Sequence, residues 1–184
     1  HNRLAATGLG VSGEKTRVYW RDRLRQAGCA PGDVVEVDGR LTLPFEDGEG
    51  QRLVLVDDGG VGEASPWEKS PVPAEHQIRG LGPIVLTVHE LSRTALVLTE
   101  IMNMRRVRDY AAHGAHIHVF AMGEGGLAAE LHVIEQPHLP VARQGAGGVH
   151  PVACRPPDEP HYPGRSPHPR EPPPPSPALV HRLP

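Results

Sequence analysis

The chain has 184 residues, a formal net charge of −3 and a pI near 6.5, which is enough sequence for one ordinary domain or two small ones. This charge excludes the basic surface that is typical of nucleic-acid or anionic-membrane binding. No apolar run is long enough to span a bilayer, and the N-terminal residues lack the apolar core of a signal peptide. We therefore expect a cytoplasmic protein without nucleic-acid or membrane partners.

The first part of the chain reads as a strand, a helix and three further strands. LAATGLGVS (4–12) is strand-like, and residues 13–28 place apolar side chains near helical spacing with charges between them. In residues 33–58, three alternating runs are separated by the turn signals DG and EDGEG. The predicted order is therefore βαβββ.

The same order recurs after a connector. IVLTV (84–88) is strand-like. Residues 89–103 form an amphipathic helical pattern, with Ser92 as a candidate N-cap and with Leu96, Ile101 and Met104 on one side, and three strand-like runs follow in residues 105–135. The two copies are about 80 residues apart, judged from Val11 and Val88. A single βαβββ unit cannot bury its sheet face alone, so we expect an α+β fold in which two units pair mixed, mostly antiparallel sheets around a shared cavity.

Four segments follow from this reading. We expect a first module in residues 1–61, a connector in 62–80 that is ordered by packing of Trp67, and a second module in 81–150. Residues 151–184 hold thirteen of the 21 prolines and little that is apolar, so this tail is predicted to be disordered with polyproline II character.

Particular segments resemble a known group of proteins. The turn Phe45-Glu46-Asp47-Gly48-Glu49-Gly50 within a repeated βαβββ unit is similar to turns of the vicinal oxygen chelate superfamily, which includes glyoxalases, extradiol dioxygenases and bleomycin-resistance proteins. The connector PWEKSPVPAEHQIRGLGPIVLTV (66–88) resembles the inter-domain segment of bacterial ring-cleaving dioxygenases that act on hydroquinone-type substrates. The resemblance covers roughly residues 4–158 and implies Fe(II) as cofactor and a small aromatic molecule as substrate.

The resemblance also implies where iron would bind. Family members have four βαβββ modules, and this sequence is similar to the second and third modules plus the first strand of the fourth. The family's iron ligands, a 2-His-1-carboxylate set, come from the first and fourth modules. His150, in Val149-His150-Pro151, falls in a ligand segment, although the ligand position itself holds Pro151.

Glu130 is the second metal candidate. The family glutamate lies four residues after the turn glycine, as in G-x-x-x-E-L, which places Glu130 at that position in the second copy and Val54 in the first. The corresponding strand-one histidine would lie near Gly82. No catalytic residue is assigned, and Fe(II) is implied by the family although this chain is expected to hold few of its ligands.

The densest histidine cluster is His113, His116 and His118. In a strand His116 and His118 share one face, which suits two zinc or nickel ligands. No cysteine or acid lies at the sequence spacing that would complete a site, so an exposed strand face is the preferred interpretation.

These patterns leave three functions open. The first is Fe(II)-dependent cleavage of a hydroquinone or catechol, with the chain inactive alone because most metal ligands are missing. The second is a metal-free small-molecule binding module like the bleomycin-resistance proteins, which the apolar Val54 favours. The third is a truncated or frame-shifted product without function. Unpaired module faces would also favour a homo-oligomer.

Overall fold

The computed structural model of the protein describes residues 3–64, 66–140 and 152–153. Within these residues no helix is long and apolar enough to cross a membrane. The strands and helices are β1 Arg3–Val11, α1 Glu14–Gln26, β2 Val35–Val37, β3 Arg40–Glu46, β4 Arg52–Asp57, β5 Gly80–Val88, α2 Leu91–Leu96, β6 Arg105–Ala112, β7 Ala115–Ala121 and β8 Glu130–Glu135.

All eight strands form one sheet in the order β2-β3-β4-β1-β5-β8-β7-β6. In each module the first strand pairs in parallel with the last, β1 with β4 and β5 with β8. The remaining pairs are antiparallel, including β1 with β5, which joins the two modules. The predicted α+β fold of paired βαβββ modules is confirmed, and the sheet curls into a half-barrel with the helices outside.

The β1–β5 junction depends on glycine. A Cβ atom added at Gly8 would lie 2.6 Å from Pro83 Cδ, and one added at Gly82 would lie 2.9 Å from the Gly8 carbonyl carbon. Real Cβ atoms essentially never approach that closely, so the two backbones can meet only where both residues lack side chains. The junction therefore excludes any side chain at position 82.

The two modules are equivalent residue by residue along their strands. Phe45 lies opposite Leu53 just as Phe120 lies opposite Leu131. Val11 and Val88 occupy the same place, each buried at the end of its module's first strand and opposite an acidic residue that ends the last strand. The repeat predicted from Val11 and Val88 is thus present in the structure.

Each module has its own apolar core between helix and sheet. The first is built on Val11, Leu24, Leu43 and Leu55. The second, which is larger, consists of Leu86, Val88, Leu98, Met104, Phe120, Leu131 and Val133, and the partly buried Val152 packs against it. The rest of the proline-rich tail and residues 141–150 lie outside the described part of the chain.

The second helix differs from its prediction. The α-helix ends at Leu96 and continues as a π-helical turn over Val97–Ile101. The widened turn buries Leu98 and leaves Leu96 and Ile101 exposed. The predicted apolar side is therefore wrong for Leu96 and Ile101, while its third member, Met104, is buried in the core.

The N-terminus of that helix is capped from the sheet. Ser92 was a candidate N-cap, but its hydroxyl donates to the Glu90 side chain. The backbone N–H of Leu91 instead donates to Glu135 Oε1 at 2.7 Å, so a carboxylate at the end of β8 stabilises the start of α2.

The connector is ordered by polar contacts. The Trp67 side chain is 62% exposed, so the prediction that its packing orders the connector is wrong. The Gln77 amide bonds the backbone of Trp67 and Val72. Trp20 Nε1 of α1 donates to the carbonyl of His76 at 2.7 Å, which fixes the connector against the first helix.

Candidate functional site in the concave cavity

The concave face of the sheet encloses a cavity of about 360 Å³ that is lined by both modules. Its walls are largely apolar and include Val35, Val54 and Val56 from the first module and Val85 and Ile134 from the second. The size and lining are those of a small-molecule site, in which a few polar groups orient a mostly apolar ligand. The polar groups come from both modules: Asp38, Arg40, Thr42 and Arg52 from the first, and Tyr110, His113, Glu130 and His132 from the second.

An ion pair brings together the two outer edges of the sheet. Asp38 lies in the turn after β2 and Arg108 lies on β6, which are the first and last strands in the sheet order. Arg108 Nε donates to Asp38 Oδ2 at 2.9 Å, and Nη2 donates to the same oxygen. The sheet must curl for its edges to meet, so this pair helps to close the cavity on one side.

The same guanidinium holds Glu130, the predicted metal ligand. Glu130 begins β8 and is 8% exposed. Arg108 Nη1 and Nη2 donate to its two oxygens at 2.9 and 2.7 Å, which is the two-bond geometry in which arginine binds carboxylates most strongly. Arg108 is therefore shared between Asp38 and Glu130.

The hydrogen-bonded chain continues along the cavity wall. His132, two residues after Glu130 on the same face of β8, places Nε2 3.1 Å from Glu130 Oε2 and Nδ1 2.8 Å from the Tyr110 hydroxyl. An ionised carboxylate only accepts, so Nε2 carries a proton, and in the neutral imidazole Nδ1 then accepts from the Tyr110 hydroxyl. We call Asp38, Arg108, Glu130, His132 and Tyr110 the polar chain.

The charges of the polar chain follow from its contacts. Burial raises the pKa of Glu130, but hydrogen bonds from His132 and Arg108 outweigh burial and lower the pKa to about 2. Burial raises the pKa of Tyr110 to about 12, and the nearby charge of Asp38 acts in the same direction. At neutral pH the cavity therefore contains an ionised glutamate and a protonated tyrosine.

Three side chains of the polar chain have atoms that could bind a metal ion. Asp38, Glu130 and His132 each offer a ligand atom, and these atoms lie within 4.8 Å of one another. The Arg108 guanidinium, however, is already bonded to both carboxylates. The close junction at Gly82 leaves no room for a second histidine on β5. Asp38, Glu130 and His132, which offer two carboxylates and one imidazole, therefore do not fit the 2-His-1-carboxylate set that holds Fe(II) in oxygenases.

No protein-family model matches the chain, but two curated proteins resemble it. The chain is 40% identical over 160 residues to "Putative ring-cleaving dioxygenase MhqA" of Bacillus subtilis and 30% identical over 139 residues to "Putative ring-cleaving dioxygenase MhqO" of that organism. These matches cover 86% and 74% of this chain but 51% and 41% of the relatives. The chain thus spans about half the length of the curated relatives it matches.

Solved structures agree on the fold. A "putative dioxygenase" from Bacillus subtilis matches 82% of this chain and 46% of its own, with a TM-score of 0.67 and 24% identity. Glyoxalase I from Zea mays matches 74% of this chain and 44% of its own, with a TM-score of 0.51 and 12% identity. These likenesses show that the chain has the paired βαβββ fold of the vicinal oxygen chelate superfamily. Its matched curated relatives carry the names of ring-cleaving dioxygenases.

The strand register corrects one predicted position. The spacing from the turn glycine made Val54 of the first module the equivalent of Glu130 in the second. The strand pairing instead makes Arg52 the equivalent of Glu130, and Val54 the equivalent of His132. The loop before β8 is longer than the loop before β4, which misleads a count from the glycine. The first module still has no carboxylate at this position.

Sequence reasoning found one of the five residues in the polar chain. Glu130 was identified from its distance to a turn glycine, while Asp38, Arg108, Tyr110 and His132 were missed. Side chains alternate between the two faces of a strand, so the sequence alone places Arg108 and Tyr110 on one face of β6. In the same way it places Glu130 and His132 on one face of β8. The contact with Asp38 depends on the curl of the whole sheet. His150 lies outside the described residues.

The histidine pair on β7 lies on the opposite, convex face. His116 and His118 share a face as predicted, with ring centroids 4.6 Å apart. The expectation that no acid completes this group is wrong, because Asp109 lies directly opposite His118 on β6, with Oδ1 3.1 Å from His118 Nδ1. Arg106 forms an ion pair with Asp109. The hydrogen bond from Arg106, together with a second one from His118, holds the pKa of the Asp109 carboxyl well below its usual range.

Proposed function

We propose that this protein takes part in Fe(II)-dependent cleavage of small hydroquinone- or catechol-type aromatics, and that its concave cavity binds such a ring without holding the iron. The ring-cleaving names of two curated relatives support the reaction class. The observation that carries the assignment of the cavity is the double ion pair of Arg108, which occupies both carboxylates that a metal would need.

The cavity has the properties that an aromatic diol requires. A dry apolar cavity of about 150 Å³ is enough for benzene, so about 360 Å³ gives room for a substituted ring. Valine and isoleucine side chains would contact the faces of the ring. With a neutral His132, the Tyr110 hydroxyl donates a hydrogen bond to Nδ1, which leaves the oxygen lone pairs of Tyr110 to accept a hydrogen bond from a ring hydroxyl.

The polar chain would also orient the ligand. Hydroxyl groups placed against the apolar walls would lose their hydrogen bonds to water, whereas hydroxyl groups placed against Tyr110 and Glu130 would regain them. A ring with two hydroxyls is therefore expected to bind better than toluene.

Calorimetric titration with methylhydroquinone and toluene tests the binding. We expect saturable diol binding that weakens about fivefold to tenfold in Tyr110→Phe, since the variant loses one hydrogen-bonding group in a desolvated site. Toluene binding should not change in that variant, which serves as its matched control. Equal affinity of the native protein for both compounds would contradict the proposed orientation.

Iron content and oxygen uptake test the rest of the proposal. After anaerobic loading with Fe(II) and desalting, we expect no stoichiometric iron in the cavity and no oxygen uptake with catechol or methylhydroquinone from the 184-residue chain. One equivalent of retained iron that is lost in Glu130→Gln would show that the cavity is an iron site, and robust turnover would show that the chain is active alone.

A metal-free binding module is the second candidate function. The neutralisation of Glu130 by Arg108 favours it, because a site with an internal counter-cation needs no metal to balance its charge. This function requires no selectivity for diols. Tight binding of varied apolar compounds, with methylhydroquinone among the weakest, would favour it over participation in ring cleavage.

A further inference from the structure

The cavity contains two acidic side chains that need a cation. Asp38 follows β2, the first strand in the sheet order, and Glu130 lies on β8, the sixth. Their side chains are 13% and 7% exposed. Two carboxylates so close together and so poorly hydrated would repel each other strongly. Arg108 supplies one positive charge and donates from three nitrogens to these two groups.

A divalent cation would satisfy the same groups. Two carboxylates and the His132 imidazole form a donor set of the kind that zinc, cobalt and manganese accept, and their ligand atoms already lie within 4.8 Å of one another. A metal and the guanidinium would compete for the same oxygen lone pairs in the same desolvated space. The two cations are therefore mutually exclusive at this point of the cavity.

We propose that Arg108 is the resident cation of the cavity and blocks a latent divalent-metal site formed by Asp38, Glu130 and His132. Arg108 acts as a positioning residue, because it holds the two carboxylates together and joins the edges of the sheet without metal. The inference rests on the part of the proposed function that leaves the cavity without iron, and it is independent of ring cleavage.

The test removes the cation and asks whether a metal replaces it. All proteins carry His116→Asn, which removes a ligand from the convex-face group and keeps that group from contributing to the titration. Arg108→Met and Arg108→Gln are titrated with Co²⁺ by visible absorbance and with Zn²⁺ by calorimetry. We expect binding about 100-fold tighter than in the His116→Asn parent, the upper end of the effects seen beside metal ligands.

Two controls locate the bound metal. Adding Glu130→Gln to Arg108→Met should return the affinity to that of the parent, because it removes a ligand from the latent site. Arg106→Met removes an arginine from the neighbouring position on the convex face of β6 and should leave Co²⁺ affinity unchanged. A gain that survives Glu130→Gln would overturn the proposal.

The remaining outcomes are also decisive. Folded Arg108→Met and Arg108→Gln proteins that bind Co²⁺ no more tightly than the parent overturn the proposal, as does Glu130-dependent binding by the parent itself. If both variants are unfolded, Zn²⁺ should restore the folded circular dichroism spectrum, and failure to do so overturns the proposal. Methylhydroquinone binding by the native protein is measured separately, so failure of the proposed function is distinguishable.

Discussion

The two modules share one backbone plan but differ in chemistry at equivalent positions. Where β8 carries Glu130 and His132, β4 carries Arg52 and Val54. Arg52 pairs with a surface glutamate and is largely exposed, whereas Glu130 and His132 are buried in the polar chain. Both modules line the cavity with polar side chains, but the buried carboxylate and imidazole on a last strand belong to the second module.

The modules also hold their helices differently. Asp57 and Glu135 end the last strand of each module, opposite Val11 and Val88. Asp57 binds the side chain of Arg17, a helix residue that is only 3% exposed. Glu135 binds a backbone N–H. Equivalent carboxylates thus perform the same mechanical task, but only the first holds a buried charge.

The largest expected difference between the modules lies in their cores. Phe120 is fully buried in the second core, while the equivalent Phe45 is only partly buried. We expect Phe120→Ala to lower the free energy of unfolding by about 4 kcal/mol and Phe45→Ala by about 2 kcal/mol. Urea unfolding measures both. Equal losses would mean that the two cores contribute equally to the stability of the sheet.

The strand-end carboxylates should differ next. Asp57→Ala leaves the buried Arg17 charge without its partner and should cost about 3 kcal/mol. Glu135→Ala removes only a helix-end hydrogen bond and should cost about 1 kcal/mol. Adding Arg17→Met to Asp57→Ala should recover part of the loss, and no recovery would contradict an effect of the unpaired charge.

The acid stability of the polar chain gives the smallest predicted effect. The pKa of Glu130 is lowered in the folded protein from its ordinary value of 4.5 to about 2. Its stabilising contribution is therefore complete above pH 4.5 and is lost as the pH falls towards 2. Glu130→Gln should remove about 2 kcal/mol of the acid-dependent change in unfolding free energy.

A matched substitution on the first module controls that measurement. Glu46, the last residue of β3, lies directly opposite Arg52 on β4 and forms an exposed ion pair with it. Because exposed pairs contribute little, Glu46→Gln should leave the acid dependence of chemical denaturation unchanged. An identical slope in both variants would show that the ion pairs of Glu130 do not contribute to acid stability.

The fold was predictable because it depends on local patterns, while the site depends on long-range contacts. Alternation, turn residues and the repeat of Val11 and Val88 were enough for two βαβββ units. Glu130 was accessible through its spacing from a turn glycine. The meeting of Asp38 with Arg108 was not accessible, since it requires the curl of eight strands and no short sequence window contains it.

The strand that comes first in the sequence lies in the middle of the sheet, and this placement has a consequence for folding. Thr7 of β1 pairs with Leu53 of the first module and with Ile84 of the second. Both partners are synthesised after β1, Leu53 by 46 residues (53 − 7) and Ile84 by 77 residues (84 − 7). Such non-local pairing slows folding and leaves strand edges exposed during synthesis. The nascent chain should therefore depend on chaperones until β5 has emerged.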